Sequence, residues 1–163
     1  MIALRPTVES DLEGVSRVLG ASYSVLLKPD YPADVLSVIV PLISRAKPEL
    51  LASGTYFCVE QRQDIIAVGG WTKTRPGTNE IVEGLGHIRH VATDPRHLLQ
   101  GAAAMIMQRC LREARLAGLT GMECLSTKTA VPFYARFGFT FVDTRDVIVA
   151  GVPFASVEMK LLF

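Results

Sequence analysis

A chain of 163 residues is long enough for one domain and leaves little room for a second. Its 49% hydrophobic share can fill one sizeable core, and 17 basic residues against 16 acidic ones leave a formal charge of +1. That balance argues against a protein that grips nucleic acid through a broad basic surface, and the lack of any apolar run of about 18 residues argues against a membrane span.

Met1 to Arg5 reads as a short strand stopped by Pro6. Thr7 is the candidate cap of a helix from about Val8 to Tyr23, whose Leu12, Val15, Leu19 and Tyr23 share a face. Glu9, Asp11 and Glu13 suit the positive end of that helix. This opening stretch has early acidic residues and no long apolar core, unlike a secretory leader, so a cytoplasmic location is expected. Pro29 and Pro32 mark a loop, and Ala33 to Ala46 reads as a helix with a kink or break at Pro41.

Thr55 to Glu60 and Ile65 to Lys73 are rich in β-branched and aromatic residues, and the polar turn between them makes a hairpin. After a loop from Thr74 to Asn79, Gly86 to Asp94 is a third strand of this group, closed by Pro95. Gln100 to Ala117 is a helix, with Ala103, Ile106, Met107, Cys110 and Ala114 on one face and Gly118 as its stop. Gly121 to Leu125 is a buried strand and Ala130 to Phe137 a short helix. Phe139 to Val149 and Val152 to Leu162 are strands joined at Ala150-Gly151. Strands alternating with helices indicate an α/β or α+β domain spanning residues 1–163. Cys58, Cys110 and Cys124 each lie in an apolar run without a Cys or His at metal-ligand spacing, so free buried thiols are expected and no metal.

The segment with chemical content is Val91 to Ala104, a strand running through a loop into a helix. The first N–H groups of a helix have no partner within it, and they attract anions such as phosphate. Gly101 and the following alanines leave room for a ligand, although the same residues also suit ordinary close packing. Leu125 to Phe139 is a second strand, loop and helix. Phe133, Phe137 and Phe139 read as core, whereas Tyr134 needs a partner for its hydroxyl if buried.

These segments resemble the GNAT acetyltransferases. Gly101 and Ala103 are similar to the end of that family's Q/R-x-x-G-x-G/A loop, and Thr93-Asp94-Pro95 to the step before it. Ala130 to Phe139 resembles the A-x-x-F-Y-x-x-x-G-F segment. Leu4-Arg5-Pro6, Gly69-Gly70-Trp71-Thr72 and Gly86-His87-Ile88-Arg89 resemble earlier strands of the family in the right order. Two positions depart from the pattern: Leu98 stands in place of Gln or Arg, and Thr127 in place of a common Asn.

The resemblance implies a GNAT fold of the α/β (α+β) class: a mixed, mostly antiparallel twisted sheet of about seven strands flanked by about four helices. The strands from Gly86 and Gly121 would be a splayed parallel pair. It implies acetyl-CoA as co-substrate, with Val91, Ala92 and Thr93 along the pantetheine arm. Leu98, Leu99, Gln100, Gly101, Ala102 and Ala103 would surround the pyrophosphate, and Thr127 would offer a hydroxyl. Tyr134 falls where the family's proton donor to the departing thiolate sits. His87 stands where histone-acetylating relatives carry a glutamate base, and Glu83 is the alternative carboxylate. Arg89, Lys73 and Arg75 are candidates for contact with an acidic group of the substrate, and Trp71 reads mainly as core. The implied partner is a small-molecule or protein amine acceptor, with neither nucleic acid nor membrane, and a homodimer is left open. The alternative is a non-catalytic acyl-CoA-binding module or an interaction domain of the same fold.

Overall fold

Seven strands join one sheet in the computed structural model, which describes residues 1–163. The strands are β1 (Ile2–Pro6), β2 (Tyr56–Gln61), β3 (Asp64–Thr72), β4 (Leu85–Thr93), β5 (Gly121–Thr127), β6 (Thr140–Val149) and β7 (Val152–Leu162). Their order across the sheet is β1-β2-β3-β4-β5-β7-β6. Every neighbouring pair is antiparallel except β4 and β5. The helices are α1 (Leu12–Leu26), α2 (Ala33–Ile43), α3 (Pro48–Leu51), α4 (Ala102–Leu116) and α5 (Val131–Arg136). Parallel strands need a crossover, and α4 supplies it between β4 and β5.

Alternate residues of β2 feed two cores, so helices cover both faces. Phe57 and Val59 pack with Ile106, Met107 and Cys110 of α4, while Tyr56 and Cys58 pack with Val15, Val18 and Leu19 of α1. A third cluster seats Leu36 and Ile39 of α2 against Tyr31 and Phe154 of β7. All three cysteines are free and buried, as expected. Trp71 is a core residue of the α4 face, its indole N–H donating to Glu113 at 3.1 Å. Gly70 is required where it stands, because a Cβ there would fall on the Thr55 carbonyl and the Tyr56 backbone.

Three local expectations are corrected. Thr7 does not cap the first helix. Its backbone N–H still donates to Tyr56 in the sheet, and its hydroxyl donates to the carbonyls of Leu51 and Tyr56. The chain therefore turns later, through a 3-10 turn at Glu9–Asp11 in which the Asp11 carboxylate accepts from the Val8 N–H at 2.8 Å. The helix at Ala33 stops at Ile43, two residues after Pro41, which has no N–H to give the Ser37 carbonyl one turn back. The unanticipated α3 then buries Leu50 and Leu51, giving five helices where about four were expected. No helix is long and apolar enough to cross a membrane.

Candidate active site

The site begins where the sheet splits. β4 and β5 are in register only from Leu85–Gly121 to His87–Glu123. Beyond that point β5 stays with β7 as far as Thr127, while β4 stays with β3 as far as Thr93. The β5-facing edge of β4 is therefore left without a strand from Ile88 onward, and an extended ligand can pair with such an edge.

A bulge re-aims β4 inside this opening. Its register against β3 shifts between Val68 and Gly70, which leaves His90 as the extra residue, at φ 44°. The buried Tyr56 hydroxyl donates to the His90 carbonyl at 2.8 Å and holds the distortion. Burial pushes the His90 imidazole pKa down to about 4, with Lys47 and Arg89 adding to the effect, so this ring is neutral at pH 7. The sequence carries no Gly, Pro or other turn signal at His90, so the bulge was not legible there.

β4 then enters the loop. Asp94 anchors it: its carboxylate accepts from the Arg96 N–H and guanidinium at 2.9 Å and from Arg17 at 3.1 Å. Arg17 also donates to the Ile65 carbonyl at 2.7 Å, which ties loop, α1 and β3 together. These hydrogen bonds, chiefly those from Arg96, hold the Asp94 carboxyl well below the usual carboxylate range.

Past this anchor, no backbone N–H from Leu98 to Ala104 donates to an acceptor within the chain. The first amide of the helix to do so is Met105, to the Gly101 carbonyl. Leu99 and Gly101 both have positive φ, 60° and 80°. These two left-handed residues turn the chain sharply just before the helix, where a run of unpaired N–H groups attracts anions. The start of the fifteen-residue α4 adds the positive end of its dipole. The Leu99 side chain is fully exposed and Gln100 is exposed, so both serve this run only through their backbone. Ala102 is buried in the core and contributes in the same way.

A cavity of about 220 Å³ lies beside this loop, between the splayed strands and under α1. It gathers Val91, Ala92 and Thr93 from β4 with Leu98 and Ala103 from the loop and helix. Thr127, Ala130, Phe133 and Tyr134 form the opposite wall, and Tyr23 and Leu26 the roof. The walls are mainly apolar, with few polar groups. The Thr127 hydroxyl oxygen accepts from the Ala130 N–H at 3.2 Å, which leaves its own proton free. Tyr134 is buried among Phe133 and Phe139, with ring centroids at 5.3 and 5.6 Å. No hydrogen bond within the protein involves its hydroxyl, and the residue lines the cavity. Burial raises its pKa well above the ordinary value, so it is a protonated donor at neutral pH.

His87 is not in this cavity. It lines a neighbouring one of about 240 Å³ with Arg75, Glu123 and Leu125. Glu123, which sequence reasoning missed, has its Oε1 3.0 Å from His87 Nδ1 and 2.8 Å from Arg75 Nε. Nothing in the sequence joins the three. The parallel register of β4 and β5 sets His87 opposite Glu123. Burial, with Arg75 and Arg89, lowers the His87 pKa against the opposing pull of Glu123. Glu123 beside Nδ1 favours the tautomer with its proton on that nitrogen, which leaves Nε2 as the acceptor; Nε2 is buried and has no partner. Glu83 lies in an exposed turn before β4, outside both cavities and without a hydrogen bond from its side chain, and is not positioned as a base. No cluster of His, Cys, Asp or Glu has the composition of a metal site.

Residues 28–162 match a family model described as an acetyltransferase (GNAT) domain. The "Uncharacterized N-acetyltransferase YjcF" of Bacillus subtilis (strain 168) is 23% identical over 93 residues, which cover 57% of this chain and 66% of that relative, just under two thirds of its length. Among solved structures, a GCN5-Related N-acetyltransferase from Rhodopseudomonas palustris has a similar fold, with a TM-score of 0.81 at 15% identity over 99% of this chain and 95% of that one. The PaiA N-acetyltransferase of Thermoplasma acidophilum, solved with coenzyme A, gives a TM-score of 0.76 at 12% identity over 100% and 99% of the two chains.

Proposed function

Because the chain belongs to the GNAT acetyltransferase family, we propose that it moves an acetyl group from acetyl-coenzyme A directly to a primary amine. Family membership gives acetyl transfer as the class of reaction. The observation that carries the finer reading is the run of unpaired N–H groups from Leu98 to Ala104, opening beside an apolar cleft that ends at a free tyrosine hydroxyl. A pyrophosphate fits the first, a pantetheine arm the second and a sulfur leaving group the third. Leu98 offers no side-chain hydrogen bond here, but the anion-binding groups are backbone amides, so its identity leaves them intact.

Each residue then has one task. The edge of β4 at Val91 and Thr93 pairs with the arm, and the bulge at His90 leaves an N–H near the thioester oxygen, where negative charge gathers. Acetyl-CoA supplies an activated acyl group: the amine nitrogen bonds to the carbonyl carbon as the carbon–sulfur bond breaks. His87, in the neighbouring cavity, takes the proton the amine loses through intervening water at Nε2, with Glu123 3.0 Å from Nδ1 favouring that tautomer. Tyr134 donates its hydroxyl hydrogen bond, or its proton, to the departing sulfur.

Thermal melting with acetyl-CoA tests the reading. Ligand at about 100 times its dissociation constant adds roughly 2.7 kcal/mol, which for a domain of this size raises Tm by roughly 5–10 °C. Gly101→Asp places a carboxylate and a strained backbone at φ 80° in the anion site, and it is expected to remove the shift. No shift with the native chain contradicts the proposal.

A further inference from the structure

Arg89 is a buried cation without a counter-charge. It is 8% exposed, and no ion pair of the chain includes it. One terminal nitrogen donates to the Thr72 hydroxyl at 3.0 Å, and Nε is buried with no acceptor at all. A neutral hydroxyl does not compensate a guanidinium taken out of water, and proteins do not hold such charges unpaired without cause. Burial already lowers its pKa, yet a guanidinium stays protonated at any working pH.

The cation faces a cavity of about 490 Å³, separate from the acyl cleft. Lys47, Ser53, Thr74 and Asn79 line it with Arg89, and Glu49 is its only carboxylate. Two cations against one carboxylate leave a single surplus positive charge, which matches a monoanion better than a phosphate dianion. A guanidinium fork also matches the two oxygens of a carboxylate. Position ties this cavity to the chemistry. Residues two apart on a strand share a face, so Arg89 and His87 point the same way from β4. Arg89 is also the residue just before the bulge, so its Cα lies within about 7 Å of that of Val91, where the acyl cleft begins.

We propose that Arg89, assisted by Lys47, binds a carboxylate of the acceptor, and that the substrates are small amino acids whose amine is thereby presented to the acyl group. This rests on the acetyl-transfer reading above and adds the class of acceptor to it.

The test is a panel of α-amino acids, β-alanine and γ-aminobutyrate, each beside the amine left by removing its carboxylate. Release of the CoA thiol is followed for the native chain, Arg89→Gln, Arg89→Lys and Lys47→Ala. The expected result is that a carboxylate-bearing member is acetylated and its decarboxylated partner is at least about 10-fold poorer in kcat/KM. Arg89→Gln is expected to raise KM for the carboxylate substrate by about 10–100-fold with kcat within about 3-fold, and Arg89→Lys to recover part of the loss. Lys47→Ala is an exposed change that does not threaten folding, and it is expected to raise KM by about 2–5-fold. If no carboxylate-bearing member is a substrate, or decarboxylated partners react as well, or neither Arg89→Gln nor Lys47→Ala raises KM, the proposal is overturned. An acetyl-CoA melting shift that persists in Arg89→Gln separates that outcome from failure of the acetyl-transfer reading, which would abolish the shift in the native chain too.

Discussion

Tyr134 carries the most specific chemical claim at the level of single residues. Its ring is fixed by Phe133 and Phe139, it lines the cleft, and no hydrogen bond within the protein involves its hydroxyl. Tyr134→Phe keeps the ring packing and removes the donor alone. Turnover is expected to fall by about 10²-fold, while the acetyl-CoA melting shift stays within about 1 °C of native. A native rate from this variant would leave Tyr134 as a packing residue only. The sequence pointed to Tyr134 through the spacing of Phe133-Tyr134 and Gly138-Phe139, a local pattern. Glu123 was not legible at all, and Arg89 stood out only alongside Lys73 and Arg75 as a contact for an acidic group. The partner of one and the missing partner of the other depend on register between strands far apart in the chain, which no local pattern encodes.

Among the elements, the loop from β4 to α4 was legible as a loop, since Pro95, Gly101 and the alanines after it announce a strand end and a helix start. Its working geometry was less so. Leu99 adopts a positive φ that leucine seldom takes, and Asp94 is the anchor that holds the strand end in place. The Asp94 side chain is 2% exposed, whereas Arg17 and Arg96 are 44% and 74% exposed and screened by solvent. Asp94→Asn is therefore expected to cost only about 1–2 kcal/mol at pH 7. Because the folded carboxyl lies below its unfolded value near 4, its contribution is complete above about pH 4 and is lost as pH falls further. Urea titrations should show the native chain and Asp94→Asn converging below about pH 4. A gap that stays constant from pH 7 to pH 3 would mean that the carboxylate charge is not what anchors the loop. The same limit applies to the helix starts. Thr7 has the residue type of a cap, but its bonds to Leu51 and Tyr56 keep it in the sheet, a long-range effect that overrides local propensity.

For the molecule as a whole, the alternation of strands and helices along the chain was legible in the sequence, and the parallel pair came from the family resemblance; the strand order, with β7 between β5 and β6, was not read. The extent of the splay did not follow, because pairing that stops after His87 and Glu123 is decided by which partner β5 keeps beyond that point, and it keeps β7. The proposed function requires this opening and the loop beside it to form one acyl-CoA site. Hydrogen–deuterium exchange with and without acetyl-CoA tests that claim most directly. Amides from Leu98 to Ala104 have no internal acceptor, so they are expected to exchange fast in the free protein and to slow on binding, together with Val91 to Thr93 on the open edge of β4. Amides of α2 and β6, away from the opening, are expected to keep their rates. Protection confined to other segments, or unchanged exchange from Val91 to Ala104 at saturating acetyl-CoA, would contradict the account.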